Sequence, residues 1–323
     1  MTQAQFESPS ETVAVIGLGL MGRGIVTCLL GRGFRVIGCD SSPSVQDTVH
    51  ESIEQGLAQL AVHGELSSAV GTMWRDCFML TDQLASDLNP AFVVESIVED
   101  IDAKMAALQT IEMVVSSTTP IATNTSSIPI GLLQASCRRP ERIVGMHWAE
   151  PAYATRFLEI VPGALTSPEV INATVAFGHA CGKDPSVLAK DIPGFIVNRL
   201  GYSLIREAFY LLEAGIADAE TIDRSFRNSI GLWATVCGPF QWMDLTGGPE
   251  LYAKCMESVW PTLSNATELP KSIKRLATDH SQGIANGRGF FDYTVVQAAQ
   301  ADAKFHAHAW DVRKIQDTCD PIG

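Results

Sequence analysis

The sequence predicts an α/β protein, with an N-terminal Rossmann doubly wound sheet followed by a C-terminal all-helical domain. Three observations predict it. The apolar run Thr12–Ile16 leads straight into Gly17, Leu18, Gly19, Leu20, Met21 and Gly22, and then into a helical stretch to Leu30. Short apolar runs next alternate with helical patterns as far as Leu188, as in the βα units of a parallel sheet. Pro193 and Gly194 then break the chain within DIPGFIVNR, from Asp191 to Arg199, and only long helical patterns follow.

Gly31 to Gly33 ends the first helix, and Arg35 to Cys39 reads as the second strand. The result is a βαβ unit with GxGxxG in its first turn. Glycines permit the tight turn and a close backbone approach to a pyrophosphate, and the helix N-terminus offers free N–H groups and a positive dipole end. Asp40 closes the second strand, where an acid would hydrogen-bond a ribose 2′-OH. The next residues, SSPS, bring no arginine for a 2′-phosphate, so NAD is expected rather than NADP. Residues 44–74 are helical in pattern, with a break near Gly64. Phe78 to Leu80 and Phe92 to Val94 are strand-like, and VVESIVED opens a helix from Ile101 to Val115. Ile121 to Thr123 is a strand ending at Asn124 in NTSSI, and Arg142 to Met146 is the next. A helix lies within 164–182 and a last strand at 185–188.

The domain boundary is expected at Asp191, giving 1–191 and 192–323. Helical patterns cover 196–214, 218–228 and 248–263, separated by turns such as GPF at 238 and TGGPE at 246. This half is more apolar than a small bundle requires, which points to a homodimer face. The stretch after Tyr293 is helical in pattern and suggests no role.

The 323 residues are 46% hydrophobic and 18% charged, so the chain can build a large core and is not disordered. A net charge of −13 argues against a general nucleic-acid binder. The first twelve residues are polar and lack the apolar core of a signal peptide, and no apolar run reaches membrane-spanning length. The eight cysteines are scattered, without a CxxC pair, as expected of reduced cytoplasmic thiols. Neither they nor the seven histidines have metal-ligand spacing, so no metal is expected.

The chemistry centres on Gly145 to Val161, GMHWAEPAYATRFLEIV. His147 is the best candidate for a general base. Glu159 lies in a second apolar run beyond a turn marked by Pro151. If both runs are short strands folded back on each other, the carboxylate meets the imidazole, fixes its tautomer and stabilises the imidazolium formed on proton uptake. Glu99, Ser126 and His147 all follow expected strands, and in doubly wound sheets ligands sit beyond the strand C-termini. Taken singly, Glu99 also suits a helix start and Ser126 an N-cap.

With these pieces in view, the chain resembles the L-3-hydroxyacyl-CoA dehydrogenase family over roughly Val13 to Tyr293. The matching pieces are the glycine loop, VVESIVEDIDAK, NTSSI, GMHW…EP…FLEIV, DIPGFIVNR, GPF and GRGFFDY, in that order. The resemblance implies a Rossmann domain, a helical dimerising domain, NAD and oxidation of a 3-hydroxyl. It implies that His147 is the general base, that Glu159 orients it, and that Ser126 and Asn198 hydrogen-bond the reacting oxygen. Glu99 and Lys104 would lie by the nicotinamide ribose, with Asn124 also on the cofactor side.

Two departures bear on the substrate. Where the family usually has HFFNP, this chain has HWAEP, so the carboxylate of Glu150 stands near the histidine and would suit a polar or cationic group. The family's coenzyme-A-binding helix carries lysine, whereas ESIEQGLAQLAVHGELSSA has neither lysine nor arginine. The expected function is therefore oxidation of a 3-hydroxyacyl-CoA or related 3-hydroxy acid. The alternative is a free polar hydroxy acid, as for gulonate or carnitine dehydrogenases. A reading of another class is a non-catalytic NAD-binding or crystallin-like protein. The β-hydroxyacid dehydrogenases also open with GLGxMG, but they use a lysine in the helical domain, and 196–214 contains none.

Overall fold

The computed structural model describes residues 11–67 and 70–318. The polar N-terminus considered above, apart from Glu11 and Thr12, lies outside them. The chain divides into two compact units, Met1–Arg199 and Leu200–Gly323.

The first unit is an eight-stranded sheet flanked by helices. Its strands are β1 (Thr12–Ile16), β2 (Arg35–Cys39), β3 (Phe78–Thr81), β4 (Phe92–Glu95), β5 (Ile121–Thr123), β6 (Ile143–Trp148), β7 (Phe157–Pro162) and β8 (Asp184–Val187). Their spatial order is β3-β2-β1-β4-β5-β6-β7-β8. All neighbours are parallel except β6 and β7, which pair antiparallel. Strands β1, β4, β5 and β6 are almost wholly buried and read as continuous apolar runs, as strands covered on both faces must. The order reverses between β1 and β4, and it is beside that reversal that doubly wound sheets bind ligands.

Five helices cover the sheet: α1 (Leu20–Gly31), α2 (Pro43–Val62), α3 (Ile101–Val114), α4 (Ile130–Gln134) and α5 (Pro168–Ala180). The expected helix over 44–74 ends earlier, at Val62. Gly64 then takes a left-handed φ of +73°, and a short 3-10 turn spans Gly71–Cys77. Helix α3 starts where Asp100 accepts the Ala103 N–H at 2.9 Å, an N-cap that satisfies one of the orphan donors. Helix α4 was not legible in NTSSIPIGLLQ. Pro129 precedes it, and Ile130 and Leu133 bury their side chains in the core beside Ile121, Ile143 and Val161.

The second unit is built mainly from helices, with two isolated β-bridges, Gly283 to Arg288 and Arg288 to Asp292. It contains most of α6 (Val197–Glu213), followed by α7 (Ala219–Asn228), α8 (Ile230–Trp233), α9 (Pro239–Leu245), α10 (Gly248–Val259), α11 (Lys271–Thr278) and α12 (Val295–Thr318). Among its described residues only Cys237, Trp310 and Arg313 are buried. No helix among the described residues is long and apolar enough to cross a membrane.

Candidate active site

The glycine loop is built for a nucleotide. Gly17 has φ +89°, and a Cβ there would stand 2.6 Å from the Ser96 carbonyl oxygen. A Cβ on Gly22 would overlap the Gly17 carbonyl oxygen at 1.8 Å. Both positions therefore require glycine, one for its backbone angle and one for close packing. A Cβ on Gly19 would meet nothing within 4 Å, so the loop's outer side is open to a ligand. The first turn of α1 carries no acidic residue to oppose an anion. Asp40 fixes this loop from the side: its Oδ2 accepts the Leu18 N–H at 2.7 Å and its Oδ1 the Ser42 N–H at 2.8 Å. Loop, helix end and carboxylate together fit the pyrophosphate and ribose of NAD.

A second cluster lies at the C-terminal ends of β4 and β5. Glu99 Oε1 accepts the Thr125 hydroxyl at 2.7 Å and the backbone N–H groups of Ser126 and Ser127, both at 2.9 Å. The Ser127 hydroxyl adds a bond at 3.0 Å and that of Ser126 a longer one at 3.3 Å. Partial burial raises the Glu99 carboxyl, but these donors and the nearby Lys104 charge outweigh it and hold the carboxyl below its ordinary range. Lys104 has no accessible surface. Its ammonium is 2.8 Å from Glu95 Oε1 and 3.6 Å from Glu99 Oε2. Glu95 is equally buried and takes further bonds from the Thr123 hydroxyl at 2.5 Å and the Ile97 N–H at 2.7 Å. A buried pair of this kind survives because its remaining lone pairs are occupied. Asn124 bridges neighbouring strand ends. Its Nδ2 donates to Ser96 Oγ at 3.1 Å, and its Oδ1 accepts the Trp148 N–H at 2.9 Å.

The third cluster holds His147. Antiparallel pairing sets His147 opposite Glu159. Nδ1 lies 2.9 Å from Glu159 Oε2, and His147 retains 8% of its surface. The other carboxylate oxygen, Oε1, accepts the N–H groups of Ile196 and Val197, both at 2.9 Å, at the start of α6. The backbone reaches that helix through Gly194 at φ +76° and the fully buried Phe195 at φ +54°. A non-glycine residue in that region is strained and is held there by packing. The rings of Phe157 and Phe195 lie against the imidazole, with centroids 5.5 Å and 5.6 Å away. Asn198, the second residue of α6, donates from Nδ2 to the Ser126 carbonyl at 2.6 Å. The structure thus brings Ser126 and Asn198 together and joins both to the strand ends that carry Glu99 and His147.

Glu150 follows β6 in the loop that leads to β7. A Cβ placed on Gly24 would stand 3.9 Å from its Oε2, so this carboxylate lies toward α1. Sequence reasoning missed Glu95, Thr125 and Ser127. A glutamate ending the apolar strand FVVE, with a lysine on the following helix, was the available signal for the first. Among the described residues no group of three or more His, Cys, Asp or Glu side chains could hold a metal ion.

A glycine-turn nucleotide site at the sheet reversal, beside a buried histidine–glutamate pair, defines an NAD-dependent dehydrogenase acting on a CH–OH group. Residues 12–192 match the family model of the 3-hydroxyacyl-CoA dehydrogenase NAD binding domain, and residues 194–293 match that of its C-terminal domain. The chain belongs to the 3-hydroxyacyl-CoA dehydrogenase family. It is 31% identical over 310 residues to 5-formyl-3-hydroxy-2-methylpyridine 4-carboxylate 5-dehydrogenase of Mesorhizobium japonicum, covering 94% of this chain and 98% of that one. It is 31% identical over 286 residues to L-carnitine dehydrogenase of Oceanobacillus iheyensis, covering 86% and 92%. A solved structure of a 5-formyl-3-hydroxy-2-methylpyridine 4-carboxylic acid 5-dehydrogenase, an NAD+-dependent dismutase, superposes with a TM-score of 0.89 at 30% identity, covering 96% of this chain and all of that one.

Proposed function

We propose that His147 is the general base of this dehydrogenase and that the substrate is a compact polar hydroxy acid rather than a long acyl-CoA thioester. The observation that carries the catalytic reading is the Nδ1–Glu159 contact at 2.9 Å. It commits Nδ1 to the carboxylate and leaves Nε2 to take the substrate hydroxyl proton. Glu159 stabilises the imidazolium that results. Ser126 and Asn198 hydrogen-bond the reacting oxygen as its charge develops. Bound NAD supplies the hydride acceptor. Gly17, Gly19, Leu20, Met21 and Gly22 hold its phosphates, Asp40 a ribose hydroxyl, and Asn124 and Glu99 the nicotinamide side. Lys104 acts through Glu99, holding that carboxylate charged from beneath.

The substrate reading rests on α2 and on Glu150. Helix α2 carries no lysine or arginine to meet the phosphates of coenzyme A. Two of the relatives above are named for a pyridine carboxylate and for L-carnitine, with no thioester in either name. The test is a comparison of kcat/KM for 3-hydroxybutyryl-CoA with those for L-carnitine and free L-3-hydroxybutyrate. Preference for the thioester overturns the free-acid reading. Absence of any NAD-linked turnover across a wide hydroxy-acid panel favours the non-catalytic alternative.

The helical half, from 192 onward, is proposed as the substrate and dimerisation domain. Leu200 and Leu204 stand one turn apart on α6 at 54% and 44% exposure, and Leu232, Phe240 and Trp260 are also open. Apolar surface on this scale, where only three described residues from Leu200 onward are buried, calls for a second copy of the chain. A cytoplasmic location is proposed from the cysteines, since Cys28, Cys39, Cys77, Cys137, Cys181, Cys237 and Cys255 are all free thiols.

A further inference from the structure

Lys183 stands immediately before β8 and is 4% exposed. Its ammonium donates to the carbonyl oxygens of Ala152 and Thr155, and Nζ lies 4.9 Å from the centroid of the Trp148 ring. Taking an ammonium out of water is costly, so its partners must return several strong contacts. Those partners belong to the β6–β7 connection, which begins immediately after the catalytic strand. The loop is also stitched internally: the Ala154 and Thr155 N–H groups donate to the Pro151 carbonyl at 3.0 and 3.1 Å, and the Thr155 hydroxyl donates to the Ala149 carbonyl at 3.2 Å. Ala152 and Ala154 have no accessible surface. The loop's other side meets the nucleotide-binding helices. A Cβ on Gly24 of α1 would stand 3.2 Å from Ala152 Cβ, and one on Gly56 of α2 would stand 3.3 Å from the Tyr153 ring. Glycine at both positions lets the loop seat closely. Lys183, just before β8, binds the loop's carbonyls and also faces the ring of Trp148, which follows His147.

We propose that Lys183 is a positioning residue for the reaction: its buried ammonium locks the 149–155 loop, and through it sets Glu150 and the end of β6 carrying His147. This rests on the reading of His147 as base, and it adds a residue that touches neither cofactor nor reacting atoms. An ammonium engaged with two carbonyls and a ring face exchanges its protons slowly and specifies one loop conformation. Without it the carbonyls of Ala152 and Thr155 lose a donor, and the loop gains alternatives. Substrate placement then suffers, while the glycine loop and Asp40 stay as they are.

Three measurements test it. In 15N-lysine-labelled wild-type protein, the Lys183 ammonium should give a solvent-protected NMR signal at neutral pH, and a freely exchanging ammonium would overturn the proposal without any variant. In Lys183→Met, which keeps the apolar stem, amide exchange of 150–156 should quicken while β1 and β4 remain protected. Unchanged exchange there would refute the lock. For function, kcat/KM on whichever of L-carnitine, L-3-hydroxybutyrate or 3-hydroxybutyryl-CoA the wild type turns over should fall about 10²-fold, the effect of an ångström-scale misplacement. The loss should sit mainly in kcat, with the Kd for NAD within about twofold and Lys183→Arg recovering much of it. Loss shared by NAD binding and not recovered by arginine would indicate a merely structural lysine. Failure of the base assignment reads separately, as retained activity in His147→Gln with the loop still protected.

Discussion

Glu159 Oε2 lies 2.9 Å from His147 Nδ1 across the antiparallel β6–β7 pair, while its Oε1 is held by the N–H groups that open α6. One carboxylate therefore ties the imidazole to a helix start. The ring cannot rotate without breaking a contact that the helix backbone fixes.

That arrangement separates two variants. His147→Gln removes the proton acceptor, and kcat should fall by about 10²–10⁴-fold, the usual worth of a general base. Glu159→Gln keeps an oxygen for the Ile196 and Val197 N–H groups, so the fold should hold. Its amide then turns an N–H toward Nδ1 and favours the tautomer with the proton on Nε2, where no base remains. Turnover should drop by a comparable factor with NAD affinity nearly unchanged. Stopped-flow NADH formation and a separate NAD titration check both, and near-native kcat in either variant would remove that residue from the scheme.

NAD should bind much more tightly than NADP, because a 2′-phosphate would approach the Asp40 carboxylate without a compensating cation. Asp40→Ala should narrow the ratio of the two dissociation constants. It should also weaken NAD itself by about tenfold, since the Leu18 and Ser42 N–H groups lose their acceptor. Equal affinities in the wild type, measured by fluorescence titration, would contradict the assignment.

What the sequence disclosed and what it hid follow a physical division. Glycine spacing, a strand-ending acid and a turn proline are local signals, so the nucleotide loop and the His147–Glu159 hairpin were legible. The twelve-residue separation places both side chains on one face once the chain reverses at Pro151. Short helices hid inside turn chemistry: α9 begins at Pro239, within the GPF that reads as a turn, and α11 follows Pro270. Buried charges were the least visible. Nothing local to Lys183 says that it loses its solvent, because its partners come from the distant β6–β7 loop.

Acid should reveal the anchoring of Glu99. Its carboxyl is held below the ordinary glutamate value of about 4.3, so its stabilising contribution is complete above that pH and fades as pH falls through the depressed folded value. Glu99→Gln should therefore melt below the wild type at neutral pH, and the gap should close as pH falls below the ordinary glutamate range. A gap that widened in acid would contradict the anchoring by Thr125, Ser126 and Ser127.

Thiol labelling offers a contrast within the chain. Burial, with Asp82 and Asp40 adding to it, pushes the Cys39 thiol up to about 12, and burial lifts Cys137 to about 11, with the Glu112 charge adding to it. Neither forms thiolate near neutrality, so both should resist iodoacetamide in the folded protein. Cys255 is exposed on α10 and should be modified first. Peptide mapping after brief alkylation reads this directly, and early labelling of Cys39 would mean that the end of β2 opens.

The substrate prediction turns on Glu150. Its carboxylate follows β6 and lies toward α1, and α2 itself carries no lysine or arginine. A negative charge there favours a compact substrate with a polar or cationic group and opposes a long thioester with its phosphate tail. The wild type should thus show higher kcat/KM on a free hydroxy acid such as L-carnitine or L-3-hydroxybutyrate than on 3-hydroxybutyryl-CoA. Glu150→Asn removes the charge together with one methylene and should move that ratio toward the thioester by about tenfold, as expected for one charged contact in a specificity pocket. Measuring both substrates in both proteins keeps folding defects apart from specificity, because a general defect lowers both rates together. High native activity on the thioester, left unaltered in Glu150→Asn, would show that this carboxylate does not select the substrate.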